Sequence, residues 1–131
     1  MDVLVMGKFF LQRKLIAEQR EPPDGAALIP AEAHLIGRRL YEAMAPDWVY
    51  LFGSYARGCA GPDSDLDFLV VVPESTHSRY QRAVAALGYV RDIHFPKDII
   101  VMTRTEWERD LEAVCSLAST VKREGRLISV E

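Results

Sequence analysis

Residues for disulfide and zinc chemistry are scarce in this sequence. Its only two cysteines, Cys59 and Cys115, fall in different predicted elements, which favours reduced thiols. The three histidines, His34, His77 and His94, are scattered singly, so no zinc-site spacing is present. We therefore expect neither a disulfide nor a structural metal.

Long apolar runs and an excess of positive charge are also missing. No stretch approaches the roughly 18 apolar residues that cross a bilayer. The start places Asp2 first and Lys8 to Lys14 last, the reverse of a secretory signal. A cytoplasmic protein with no membrane partner is expected. The net charge of -3 and pI near 5.6 argue against broad binding to phosphate backbones, so direct nucleic-acid binding is not expected.

Apolar residues make up 49% of the 131 residues, enough for one globular domain. Residues 1–29 end in a turn-rich stretch around Pro22, Pro23 and Gly25 and show no clear pattern. We predict an N-terminal extension over 1–29, or a natural start further downstream. Residues 30–131 are predicted to form the domain.

Periodicity predicts strands that alternate with helices in this domain. A helix should follow Pro30, a strand should end at Gly53, and one helical turn capped by Ser54 should follow. Residues 65–72 give the clearest strand, then a helix over 76–87, a weak edge strand over 89–95 and a core strand over 98–102. A capping box of Thr105 and Glu108 should begin one last helix that Gly125 ends. The pattern predicts an α/β fold, with a small mixed sheet packed with helices in two or three layers.

Two carboxylates fall at the start of the clearest strand. Asp65 and Asp67 are two residues apart, so their side chains project from one face of the strand. Two anions this close repel unless a cation lies between them. Oxygen ligands select hard cations, so Mg²⁺ or Mn²⁺ is the predicted occupant. The alternative is a pair of solvated carboxylates at a strand edge.

A glycine turn lies upstream of these aspartates. Gly53 and Ser54 stand between a strand and a helical turn, where free backbone N–H groups allow a phosphate to approach closely. Ordinary turn chemistry is the alternative for this dipeptide. A phosphate site beside a metal site predicts a nucleotide site.

Ten residues separate Gly53-Ser54 from Asp65-Leu66-Asp67. This run, LFGSYARGCAGPDSDLDFLVVV, resembles the GSx10DxD signature of minimal nucleotidyltransferases in the DNA polymerase beta superfamily. The resemblance covers roughly residues 31–124 and includes both flanking strands. It implies a nucleotidyltransferase fold and transfer of a nucleotidyl group with pyrophosphate leaving.

The resemblance also implies roles for single residues. Asp65 and Asp67 hold Mg²⁺, Gly53 and Ser54 contact the triphosphate, and Asp98 completes the metal site or acts as the base. Arg57 either reaches the phosphates or covers the turn as a solvated side chain. Lys97 precedes Asp98 on the opposite strand face, which favours a surface charge.

Two positions depart from the family pattern. Cys59 and Ala60 stand where relatives often have polar or acidic residues, which leaves the acceptor open.

Tyr55 is a candidate contact for a partner, whereas core packing is favoured for Tyr50.

Stand-alone family members of this size resemble the antitoxin of a two-protein system. The partner there is an all-helical HEPN ribonuclease toxin that is silenced by adenylylation of a tyrosine. The resemblance thus implies an enzyme that moves AMP from ATP to a hydroxyl, with Mg²⁺ as cofactor. The alternatives are a non-catalytic antitoxin that acts by contact and a nucleotide-sensing subunit. The nucleotide, the acceptor and a homo- or hetero-oligomeric state stay open.

Overall fold

The computed structural model describes residues 29–129. Five helices and four strands follow one another in this part of the chain: α1 (Ala31–Met44), β1 (Trp48–Phe52), α2 (Ser54–Arg57), β2 (Leu66–Val72), α3 (Arg79–Tyr89), β3 (Lys97–Thr103), α4 (Arg104–Leu111), α5 (Leu117–Glu124) and β4 (Arg126–Leu127). All but the last residue of the predicted extension 1–29 lies outside the described residues. No helix within 29–129 is long and apolar enough to cross a membrane.

The four strands form one mixed sheet in the order β3-β2-β1-β4. β1 pairs antiparallel with both β2 and β4, whereas β2 and β3 are parallel and joined through α3. The predicted α/β class with a small mixed sheet is confirmed.

Helices cover both faces of the sheet, so the domain has three layers. On one face α1 and α3 pack on alternate strand residues such as Leu51 and Phe68. On the other face α4 and α5 pack on the intervening residues, including Leu69 and Val71. β2 is buried on both faces, which explains its nearly continuous apolar run.

The predicted edge strand over 89–95 is wrong. α3 begins at Arg79, with Ser78 and Gln81 forming its capping box, and continues through Gly88 to Tyr89. The following residues form turns whose polar groups bind side chains instead of a strand. Arg39 donates to the Tyr89 carbonyl at 3.0 Å and to the Asp92 carboxylate at 2.8 Å.

Lys97 fixes the end of the same segment. Its Nζ donates to the carbonyl oxygens of Ile93 at 2.6 Å and Phe95 at 3.0 Å. These bonds satisfy backbone acceptors that a strand would otherwise pair. The side chain is half-buried, so Lys97 is not the free surface charge that its position predicts.

The predicted single C-terminal helix is two helices. The capping box is formed by Thr103 and Glu106, two residues before the predicted pair. The chain leaves the helix after Leu111, and Ser116 then caps α5 by accepting from the Ser119 N–H at 3.1 Å. Val114, predicted on the apolar stripe, lies in the intervening turn and is 86% exposed. Cys115, from the same predicted stripe, is exposed beside it.

Candidate active site

The sheet topology brings the predicted site residues to one end of the molecule. β1 ends where its antiparallel neighbour β2 begins, and β3, parallel to β2, begins there too. In register, Phe52 is opposite Asp67, and Asp67 is opposite Asp98. The Gly53 turn therefore follows β1 beside the two aspartates.

The carboxylates differ in their surroundings at this end. Asp67 is half-buried within β2, on the face that α4 and α5 cover further along the strand. Asp98 is exposed on β3, one strand spacing of about 4.8 Å away in backbone terms. Asp65 is exposed and immediately precedes β2, whereas the sequence predicts it as the first residue of the strand.

Gly53 makes the closest approach to Asp67. Its φ of 75° and ψ of -154° lie in a region that side-chain-bearing residues rarely adopt. A Cβ placed on Gly53 would overlap the Asp67 carboxylate, so the turn backbone lies directly against that group. Only glycine permits this arrangement.

Ser54 begins α2 rather than capping it. Gly53 occupies the N-cap position without a side-chain bond, so the predicted Ser54 cap is wrong. The short helix is closed by the Arg57 N–H, which donates to the Gly53 carbonyl at 3.1 Å. The Cys59 N–H donates to the Ser54 carbonyl at 3.0 Å. These bonds hold Gly53, Ser54 and Arg57 as one rigid turn.

Burial raises the pKa of Asp67, and the negative charges of Asp98 and Asp65 raise it further. The positive charge of Arg57 acts in the opposite direction and lowers the same pKa. Asp98, Asp65 and Arg57 are thus near enough to Asp67 to affect its pKa. The site is an acidic cluster with one cation beside it.

Glu124 contacts Arg57 and was not predicted from the sequence. Its Oε2 lies 4.0 Å from Arg57 Nη1, and its Oε1 lies 3.6 Å from Arg123 Nη2. No local signal marks it, because the contact joins the end of α5 to the distant turn after β1.

The carboxylate oxygens at this end of the sheet are the type of ligand that a hard cation prefers. Asp65, Asp67 and Asp98 offer only carboxylate oxygens, and a divalent ion would offset the repulsion that raises the pKa of Asp67. Within residues 29–129, however, no three carboxylate, imidazole or thiol side chains are already arranged to hold a metal. The three aspartates would have to turn toward a bound ion.

The two predicted aromatic residues pack against other aromatic rings. Tyr50 is buried and stacks on Trp107 with 5.5 Å between ring centroids, which confirms its core role. Tyr55 is half-buried and meets Phe95 edge-on at 6.0 Å. Cys59 is exposed at the end of the turn.

Comparison with known proteins identifies the class. The family model described as "Nucleotidyltransferase domain" matches residues 38–128, more than half of the chain. The chain therefore belongs to the nucleotidyltransferase domain family, which is of the DNA polymerase beta superfamily type. No curated protein matches the chain.

Proposed function

We propose that this nucleotidyltransferase moves AMP from ATP to a hydroxyl group, with Mg²⁺ as cofactor, and that the acceptor is a tyrosine of a HEPN-type toxin partner. The chain would then be the antitoxin of the pair. The observation that carries the proposal is the backbone of the Gly53 turn lying against Asp67, with Asp98 in register on the next strand. A phosphate cradle and a carboxylate cluster share one end of the sheet.

The reaction exchanges one phosphorus–oxygen bond for another and moves one proton. The hydroxyl oxygen of the acceptor attacks the α-phosphorus of ATP, and the bond from that phosphorus to the oxygen bridging the α- and β-phosphates breaks. Pyrophosphate leaves with the electron pair of that bond. The hydroxyl proton passes to a carboxylate, for which exposed Asp98 is the proposed acceptor.

Each element of the site has a separate task in this scheme. Backbone N–H groups of the Gly53-Ser54 turn and the Arg57 guanidinium bind phosphate oxygens. Asp65, Asp67 and Asp98 would hold Mg²⁺, which neutralises phosphate charge and orients the nucleotide. Because Gly53 has no side chain, the backbone of the turn can lie directly against Asp67.

Asp98→Asn tests the division between binding and chemistry. The variant should keep much of the ATP affinity supplied by Gly53, Ser54 and the other carboxylates, and lose transfer by several orders of magnitude. Equilibrium binding of ATP and single-turnover transfer measure the two separately. Transfer within a few fold of the unsubstituted protein would remove Asp98 from the chemistry.

The partner is proposed on the resemblance and on electrostatics. A chain of net charge -3 suits a basic surface such as a ribonuclease needs to hold RNA. After co-expression with the protein encoded beside it, mass spectrometry should find adenylate on a partner tyrosine, and Asp65→Asn should remove it. If the Asp65→Asn variant still inhibits the partner, and the partner carries no adenylate, the protein is an antitoxin that acts by contact only.

A further inference from the structure

We propose that Glu124 is a positioning residue that holds the Arg57 guanidinium ready for the nucleotide phosphates. This rests on the proposed function, because it concerns the same nucleotide site. It adds a residue from α5, far along the chain from the glycine turn and the aspartates.

The end of α5 is fixed against the turn that follows β1. Gly125 closes α5 by donating its N–H to the Val121 carbonyl at 2.7 Å, and a Cβ on Gly125 would lie 3.3 Å from the Leu51 carbonyl oxygen. Directly after Gly125, Arg126 pairs with Leu51 in the sheet. Glu124 therefore stands beside the last residues of β1, where the Gly53 turn starts.

Arg57 approaches Glu124 from the other side of that turn. Its backbone N–H is bonded to the Gly53 carbonyl, so the root of the side chain is fixed, whereas the side chain itself is 49% exposed. The Glu124 carboxylate divides its two oxygens between Arg57 and Arg123. Arg123 thereby holds Glu124 in place while Glu124 faces Arg57.

The looseness of this pair suits a positioning role. A single contact of 4.0 Å between Nη1 and Oε2 orients the guanidinium and leaves its other N–H groups available to phosphate oxygens. An arginine whose conformations are biased toward its binding pose loses less side-chain freedom when the ligand arrives. Glu124 should therefore strengthen nucleotide binding although it is itself negative.

A double-mutant cycle on ATP affinity separates positioning from simple charge. Coulomb attraction alone predicts that Glu124→Gln tightens the binding of polyanionic ATP, whereas positioning predicts about two- to tenfold weaker binding. Arg57→Ala should also weaken binding, and Glu124→Gln should cause no further weakening in that background. We would measure the four dissociation constants by calorimetry on the full chain, with kcat measured alongside. The loss should appear in affinity rather than in kcat.

Glu112→Gln is the matched control, since it removes the same charge from the C-cap of α4, five residues before α5 begins. Glu112 precedes α5, whose eight residues span about 12 Å, and Glu124 is the last residue of that helix. No ion pair of Glu112 is found within residues 29–129. The proposal would be overturned if Glu124→Gln binds ATP more tightly than the unsubstituted protein. It would also be overturned if Glu124→Gln and Glu112→Gln change ATP affinity equally, or if the effects of Glu124→Gln and Arg57→Ala on ATP affinity are additive.

A second measurement needs no nucleotide. The heteronuclear NOE of the Arg57 Nε–H should fall in Glu124→Gln and stay unchanged in Glu112→Gln, because only the first removes the partner of Arg57. An unchanged NOE in both variants would contradict positioning. If the unsubstituted protein binds no ATP, the proposed function fails, whatever the NOE shows for Glu124.

Discussion

Gly53 packs so closely against Asp67 that a Cβ at position 53 would overlap the Asp67 carboxylate. Gly53 adopts a positive φ and leaves no volume between its backbone and the Asp67 carboxylate. The turn thereby brings backbone N–H groups beside a half-buried acid. The same closeness raises the pKa of Asp67 through burial and through its two acidic neighbours.

Gly53→Ala should therefore damage both the fold and the site. A side chain at this φ and ψ is strained by about 1–3 kcal/mol, and its Cβ would displace the Asp67 carboxylate. Thermal unfolding should show the loss of stability, and calorimetry the loss of ATP binding. Gly61→Ala is the control, because a Cβ there meets nothing within 4 Å. Equal effects of Gly53→Ala and Gly61→Ala on stability and on ATP binding would contradict the close contact between Gly53 and Asp67.

Asp67→Asn should raise the stability of the metal-free protein at neutral pH. Because the folded-state pKa lies above the ordinary value of 3.8, the charged carboxylate disfavours folding at pH values above that raised pKa. This loss of stability shrinks as the pH falls through the folded-state pKa of Asp67, and it is absent below about pH 3.8. Since the site is partly exposed, we expect a gain below about 1 kcal/mol at pH 7.

Melting curves with and without Mg²⁺ and ATP complete this test. The substitution should abolish the stabilisation that the ligands give to the unsubstituted protein. Equal ligand-induced shifts in both proteins would remove Asp67 from the metal site.

At the scale of elements, the Arg82–Glu106 pair joins α3, β3 and α4. Arg82 is nearly buried and donates to Glu106 Oε1 and to the Val101 carbonyl, both at 2.7 Å. Glu106 in turn accepts from the Thr103 N–H at 2.7 Å, where it closes the cap of α4. The pair thus ties the outer strand β3 to both neighbouring helices.

Glu106→Gln should destabilise the domain by about 1–3 kcal/mol at pH 7, because a buried arginine loses its charged partner. The Arg82 hydrogen bond lowers the pKa of Glu106 from 4.5 to about 2. This stabilisation is therefore complete above pH 4.5 and is lost as the pH falls through about 2. The free energy of unfolding, measured with denaturant, differs between the unsubstituted protein and Glu106→Gln. This difference should narrow as the pH falls from 4.5 to about 2.

Glu108→Gln is the matched control on the same helix. Glu108 is 66% exposed and pairs only loosely with Arg104 at 3.4 Å, so its loss should change stability by a few tenths of a kcal/mol. Similar losses of stability in Glu106→Gln and Glu108→Gln would show that the Arg82–Glu106 pair is an ordinary surface contact.

The elements that the sequence predicts well are those with local signals. The first helix, the strand before Gly53 and the strand around Phe68 follow from apolar spacing and from breakers next to them in the chain. The break between α4 and α5 was missed because the apolar spacing of Leu111 and Val121 continues across it. It depends on Ser116 and on the Asp110 carboxylate, which accepts from the Ala118 N–H at 2.9 Å.

The candidate site divides in the same way. Spacing alone predicts that Gly53, Asp65 and Asp67 share one end of the sheet, because they lie in one strand–turn–strand unit. Asp98 was expected only from the resemblance, and the parallel register places it opposite Asp67. Glu124 could not be predicted, since its contact with Arg57 exists only after α5 packs on the sheet.

At the scale of the whole molecule, the three layers leave one end of the sheet for chemistry. Helices cover both faces, and the residues of the proposed site cluster where β1 ends and β2 and β3 begin. Arg57 stands beside this acidic end and is held by Glu124. The family match and this clustering support a nucleotidyl transfer reaction, and the central claim is that the Asp65–Asp67 end carries it out.

Transfer of isotopic label from ATP to the co-expressed partner tests this claim most directly. With Mg²⁺ present, label from the α-phosphate of ATP should become covalently attached to the partner, label from the γ-phosphate should not, and Asp65→Asn should abolish the first signal. Attachment of γ-label would mean phosphoryl rather than nucleotidyl transfer. Undiminished α-label with Asp65→Asn, or no α-label on the partner with the unsubstituted protein, would contradict the account.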